Sequence, residues 1–84
     1  MQNILVYGAD WCGDCWRAKR FFDAHSIPYQ WIDVESNLAA DGTVRKINNG
    51  KRIIPTIIFE DGSILVEPSD EDLAEKFNIR KNEE

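Results

Sequence analysis

Hydrophobic positions change period several times along this chain, and each change predicts an element. The run Asn3–Tyr7 is short, apolar and β-branched at Ile4 and Val6, the pattern of a buried strand. From Gly13 to about His25 the residues Ala18, Phe21 and Phe22 recur at helical spacing, and Ala24 or His25 continues the stripe. Ser26-Ile27-Pro28 closes that helix, because a residue before proline avoids helical backbone angles. Tyr29–Val34 is rich in aromatic and β-branched residues and reads as a second strand. Ser36 is placed to cap a second helix over Asn37–Asn48, with Leu38, Val44 and Ile47 expected inward. Asn49-Gly50 signals a turn.

Thr56–Phe59 and Ile64–Val66 flank Glu60-Asp61-Gly62-Ser63, which predicts a hairpin with an Asp-Gly turn. Pro68 ends the second of these strands, and Ser69 is the expected cap of a last helix opening with Asp70-Glu71-Asp72. Acids suit the positive end of a helix dipole. Leu73, Phe77 and Ile79 would anchor this helix, and the polar tail Arg80–Glu84 is expected to fray. The order is therefore β-α-β-α-β-β-α, an α/β class. The first βαβ unit should be a right-handed parallel crossover and the last two strands antiparallel neighbours. Spacing leaves the sheet order open.

Length and composition narrow the class without changing this picture. The 84 residues suit one small domain over 1–84, and 43% apolar with 30% charged residues is ordinary for a globular protein. No apolar run approaches the ~18 residues of a membrane span. Met1-Gln2-Asn3 has no basic region or cleavage site, so a cytoplasmic, membrane-free location is expected. A net charge of −5 argues against nucleic-acid binding. Seven of the ten basic residues lie in 17–20 and 45–52, while 60–75 holds seven acids and no base; solvated faces explain most of this segregation.

The candidate chemistry is concentrated in one place. Cys12 and Cys15 are the only cysteines, within Trp11-Cys12-Gly13-Asp14-Cys15, between the first strand and the first helix. C-x-x-C at a strand exit and helix entry reads as a thioredoxin-like redox site. The helix start offers unpaired N–H groups and a positive dipole end, so Cys12 is expected to be held partly as thiolate. Cys15, one turn on, faces the same side and can attack a mixed disulfide formed on Cys12. Gly13 is expected to allow a tight turn and keep the approach to Cys12 open. A structural disulfide closing so short a loop would add little stability. Zinc usually takes four Cys or His ligands, and His25, the only histidine, lies helical turns away.

These residues resemble the glutaredoxin family of the thioredoxin fold over nearly the whole chain. The likeness rests on Trp11-Cys12-Gly13-Asp14-Cys15, Ser26-Ile27-Pro28-Tyr29, Ile54-Pro55-Thr56, Asp61-Gly62 and Pro68-Ser69. The stretch 48–72 is particularly similar to actinobacterial mycoredoxins, which use mycothiol in place of glutathione. The resemblance implies a four-stranded mixed sheet of order 2-1-3-4 flanked by three helices. It implies a cis Ile54–Pro55 bond facing the disulfide site, with the Ile54 backbone pairing with substrate as an added strand would. It places Ser69 and Asp70 where the family holds the γ-glutamyl end of glutathione. It places Arg45, Lys51 and Arg52 near the position of cations for a thiol's carboxylate. Trp11 corresponds to a partly exposed aromatic lid beside Cys12.

Some residues depart from the family pattern. Glutathione-using members commonly carry a cation before the active-site run and an aromatic between the cysteines; here Asp10 and Asp14 occupy that neighbourhood. Anions there disfavour a Cys12 thiolate and repel an anionic ligand, and Arg17 would partly offset them. Trp31 is expected on the sheet, Trp16 in the core or on a surface platform, and neither His25 nor Asp10 in catalysis.

The resulting expectation is a cytoplasmic, monomeric dithiol oxidoreductase with catalytic Cys12 and Cys15. Its substrate-binding candidates are Trp11, Gly13, Asp14, Ile54, Pro55, Ser69 and Asp70. It would have no tightly bound cofactor or resident metal. A low-molecular-weight thiol such as glutathione or mycothiol would be co-substrate, or a thioredoxin-type reductase would recycle it, and disulfide-containing proteins would be its clients. The alternatives are an iron–sulfur or zinc module using paired C-x-x-C thiolates and a redox-responsive interaction protein without turnover.

Overall fold

The computed structural model describes residues 3–79. The chain runs β1 (Leu5–Gly8), α1 (Gly13–Ala24), β2 (Gln30–Asp33), α2 (Leu38–Ile47), β3 (Thr56–Ile58), β4 (Ile64–Val66) and α3 (Asp70–Lys76). The strands form one sheet in the order β2-β1-β3-β4. β1 lies parallel to β2, with Val6 opposite Trp31, and antiparallel to β3, with Val6 opposite Ile57. β3 and β4 are antiparallel. The order of elements and the mixed sheet are as expected, and the fold is thioredoxin-like. The expected tail Arg80–Glu84 lies outside the described residues. Among those described, no helix is long and apolar enough to cross a membrane.

Strand alternation sends successive side chains to opposite faces. Val6 and Ile57 point to one face, where α1 supplies Ala18, Phe21 and Phe22 and α3 supplies Leu73 and Ala74. Tyr7 points to the other, with Val34, Ile54 and the α2 residues Ala40 and Val44; Cys12 and Cys15 join this second cluster. Trp31 packs against both.

Helix α2 corrects two sequence expectations. Its cap is Asn37, not Ser36: the Asn37 side chain accepts from the Ala40 N–H at 3.0 Å. Leu38 is 88% exposed rather than inward. At about 100° per residue it lies half a turn from Ile47, so those two cannot share a face. The buried stripe is Ala40 and Val44, with Ile47 half-buried.

The helices end by a common device. Ser26, Asn49 and Asn78 take left-handed φ values of 55°, 60° and 59° just beyond α1, α2 and α3. The next N–H then reaches back to a carbonyl in the last turn: Ile27 to Phe22, Gly50 to Arg45 and Ile79 to Ala74. This is the six-to-one bond of a Schellman end. Helix α1 therefore ends at Ala24, and the left-handed Ser26 turns the chain away before proline's restriction at Ile27 takes effect. In the hairpin, Gly62 N–H bonds Phe59 C=O at 2.9 Å and only Gly62 (φ 88°) is left-handed. Asp61-Gly62 thus lies in the turn as expected, in the form of a type I turn followed by a glycine bulge.

Candidate active site

The site forms where β1 leaves the sheet. After Gly8 the chain turns, and the Cys12 N–H donates to Ala9 C=O at 3.2 Å. Cys12 is the N-cap of α1, and its Sγ accepts the Cys15 N–H at 3.2 Å. Sulfur thus takes the place of the usual Ser or Asp cap oxygen, at the positive end of the helix dipole. Both thiols are free. Cys12 keeps 8% exposure and Cys15 none. Burial first, then the hydrogen bond with Cys12, pushes the Cys15 thiol from 9.0 up to about 12, against a smaller downward pull from the Ala9 backbone. The two sulfurs are therefore unequal, although both residues are buried: Cys12, which keeps slight exposure, caps the helix, and Cys15 is fully enclosed with its proton held tightly.

The loop before β3 forms the opposing wall. The Ile54–Pro55 peptide is cis, and both residues are buried. The Cys12 thiol points at the Ile54 carbonyl, 4.0 Å away. Thr56 holds this loop: its buried hydroxyl donates to Ile53 C=O at 2.6 Å and accepts from Asn48 Nδ2 at 3.2 Å. Pro55 C=O accepts the Glu67 N–H at 2.8 Å. Sequence reasoning missed the bracing by Thr56 and Asn48, although a polar residue opening an apolar strand was its signal.

Two charged rims flank the pair. On one side Trp11, 67% exposed, donates its indole N–H to Glu35 Oε2 at 2.7 Å. Arg52 lies 3.6 Å from the same oxygen and 2.7 Å from Asp41, which also binds Arg45 at 2.9 Å. Hydrogen bonds from Arg52 and then Arg45 hold the Asp41 carboxyl below its ordinary range. Two of the three expected anion-receiving cations are thus already paired, while Lys51 is exposed without an ion pair to another described residue.

On the other side Arg17 bridges Asp14 at 3.0 Å and Asp70 at 3.8 Å, and donates to Pro68 C=O at 3.4 Å. This cation joins the active-site helix to the start of α3, and partly offsets Asp14 as expected. Ser69 forms a capping box with Asp72: Ser69 Oγ accepts the Asp72 N–H and Asp72 Oδ2 accepts the Ser69 N–H, each at 3.0 Å.

The remaining candidates fall as follows. Gly13 begins α1 without a left-handed φ, and a Cβ there would meet nothing within 4 Å. The expected tight turn therefore does not depend on glycine. Gly8, by contrast, is required: a Cβ there would lie 2.6 Å from Cys15 Sγ and 2.6 Å from the Trp31 ring. No spacing rule marked it. Trp16 is a half-exposed platform, donating its N–H to Asp10 C=O and stacking under Lys19 Nζ, which lies 4.3 Å from its ring and 4.0 Å from that of Trp31. An open cavity of about 230 Å³ lies elsewhere, bordered by Ile4, Phe59, Glu60, Asp61, Lys76 and Phe77, and none of the candidate residues lines it.

The family model described as Glutaredoxin matches residues 4–64. The chain is 40% identical over 73 residues to the glutaredoxin-named protein Rv3198A of Mycobacterium tuberculosis, covering 87% of each. It is 34% identical over 68 residues to mycoredoxin 1 of Corynebacterium glutamicum, covering 81% of this chain and 84% of that one. Among solved structures, a point variant of the thioredoxin-like protein BC3987 superposes with a TM-score of 0.80 at 26% identity, over 95% of this chain and 100% of that one.

Proposed function

The chain belongs to the glutaredoxin family and is a thiol oxidoreductase, and we propose that it works by a dithiol mechanism on protein disulfides and on mixed disulfides with small thiols. The Cys12 thiolate attacks one sulfur of the substrate disulfide. That S–S bond breaks, and the first half leaves as a thiolate that takes a proton from solvent. Cys15 then gives up its proton and attacks Cys12 Sγ, expelling the second half. The products are a reduced substrate and a Cys12–Cys15 disulfide, two electrons having passed to the substrate. Two equivalents of a low-molecular-weight thiol, glutathione, mycothiol or similar, or a thioredoxin-type reductase, restore the dithiol.

The observation that carries this reading is the inequality of the sulfurs. Cys12 Sγ caps the helix as an acceptor, while Cys15, one turn on and fully buried, holds its proton up to about 12. A sulfur at the helix N-terminus, the less deeply buried of the two, suits the first attack, and the fully buried neighbour suits resolution. Ile54 and the cis Pro55 would form one wall of the substrate groove, with the Ile54 backbone pairing with the substrate. Trp11, Gly13 and Asp14 would line the mouth, and Ser69 and Asp70 would meet the small thiol at the start of α3. The protein would act as a cytoplasmic monomer of one domain over 1–84.

The test is a trapping and turnover assay. Cys12→Ser should abolish thiol exchange, whereas Cys15→Ser should still form stable mixed disulfides. Parallel turnover with glutathione, mycothiol, bacillithiol and thioredoxin reductase identifies the electron source. Faster alkylation of Cys15 than of Cys12 in the reduced protein would reverse the roles.

A further inference from the structure

One carboxylate oxygen joins three segments around Cys12. Glu35 Oε2 accepts the Trp11 indole N–H at 2.7 Å, from the residue that precedes Cys12. The same atom lies 3.6 Å from Arg52, which leads into Ile53, Ile54 and the cis Pro55. Glu35 itself sits in the bend after β2, where its N–H donates to Asp33 Oδ1 at 2.8 Å. The Arg52 end is anchored independently by its 2.7 Å bond to Asp41. Trp11 has no such second anchor: it is 67% exposed, and its bond to Glu35 is the indole's hydrogen bond among the described residues.

We propose that Glu35 is a positioning residue for substrate entry, holding the Trp11 indole in the one orientation that completes the rim beside Cys12. The inference rests on the oxidoreductase reading above for its substrate. An exposed indole is otherwise free to change rotamer. A charge-assisted bond from a braced carboxylate restricts it. When a binding-competent arrangement is populated only part of the time, apparent affinity falls by that fraction, and the chemical step is untouched. Glu35 therefore acts on KM and leaves kcat to the sulfurs.

Two measurements on the full chain test this. In ¹H–¹⁵N spectra the Trp11 indole cross-peak, assigned by its loss in Trp11→Phe, should move toward the free-indole position in Glu35→Ala. It should stay near its native position in Glu35→Gln, which keeps an acceptor oxygen but loses the ion pair. With a peptide mixed disulfide as substrate, Glu35→Ala should raise KM about fivefold, the scale of one hydrogen bond, with kcat unchanged. Glu35→Gln should recover most of that, and the Glu35→Ala/Trp11→Phe double variant should be no worse than Trp11→Phe alone. An indole peak that does not move in Glu35→Ala overturns the hold. A moved peak with unchanged KM, or single effects that simply add, overturns the entry role. Failure of the unsubstituted protein to reduce the substrate would instead count against the oxidoreductase reading, while the indole peak, which needs no turnover, would still decide whether Glu35 holds Trp11.

Discussion

The two faces of the sheet are built from different materials. The face under α1 and α3 is aromatic: Phe22 packs 5.2 Å from Tyr29 and 6.0 Å from Phe77, and Phe59 lies 5.7 Å from Phe77, ring centre to ring centre. The face under α2 has one buried ring, Tyr7, and otherwise aliphatic groups, Ala9, Val34, Ala40, Val44 and Ile54, and it encloses both sulfurs. Large rings bury much area and interlock, which favours stability. Small side chains let backbone, sulfur and the cis-proline loop approach one another. The contrast is a division of labour within 84 residues: one face holds the fold while the other leaves the redox pair room to work.

The strongest way to break this comparison is Phe22→Ala. Phe22 is fully buried in the aromatic face, so truncation should cost about 3–5 kcal/mol in urea unfolding. Under native conditions the folded fraction should keep its Cys12 alkylation rate. A comparable slowing of alkylation would show that the two faces are not separable. Gly8→Ala tests the boundary between them. Its Cβ would press on Cys15 and Trp31, with an overpacking cost of roughly 1–3 kcal/mol. Disulfide closure should slow with it, which stopped-flow resolution of a trapped mixed disulfide would show.

Stability against pH probes both faces, because burial raises the Tyr29 phenol on the aromatic side as well as the Cys15 thiol, and a Cys15 variant separates the two. The Cys15 pKa rises from 9.0 to about 12, chiefly through burial, so the folded chain holds this proton more tightly than the unfolded one. Its contribution to stability is fully present below the unfolded pKa and is lost as pH rises through the folded value. Urea midpoints of the reduced protein should therefore decline above pH 9, and Cys15→Ala should flatten that decline. Equal slopes in both proteins would contradict the assignment. The smallest effect is expected from Ser69→Ala, which removes a cap on the aromatic side and should cost about 1 kcal/mol. A KM increase for the small thiol beyond the effect of Asp72→Asn, which weakens the same capping box, would separate a binding role from the structural one.

Local signals in the sequence account for much of this architecture. The C-x-x-C run, the helical stripe of Ala18, Phe21 and Phe22, the Ser69 cap and the Asp-Gly hairpin each act over a few residues, and each is found. The sheet order came from family resemblance, because strand spacing alone permits several pairings. The errors are also physical. Ser36 and Asn37 are equally good caps in isolation, and only the fold shows that the Asn37 side chain takes the Ala40 N–H. Leu38 looked inward because it is apolar, but helical geometry places it opposite Ile47. The contacts that shape the site were illegible for a different reason. Glu35 with Trp11, Arg17 with Pro68 and Cys12 with Ile54 span 24, 51 and 42 residues, and no local pattern encodes them. Gly8 belongs with these, since its need for a bare Cα arises only when Trp31 and Cys15 arrive from elsewhere.

The helix ends bear on how such a chain can evolve. Ser26, Asn49 and Asn78 occupy left-handed backbone that glycine enters most easily, and none is glycine. An ordinary L-residue there gives up roughly 1–2 kcal/mol, and asparagine less. None of the three belongs to the cluster that encloses the sulfurs. A lineage pressed toward a warmer habitat thus has untouched sites at which a single substitution could add stability while its electron chemistry stays as it was.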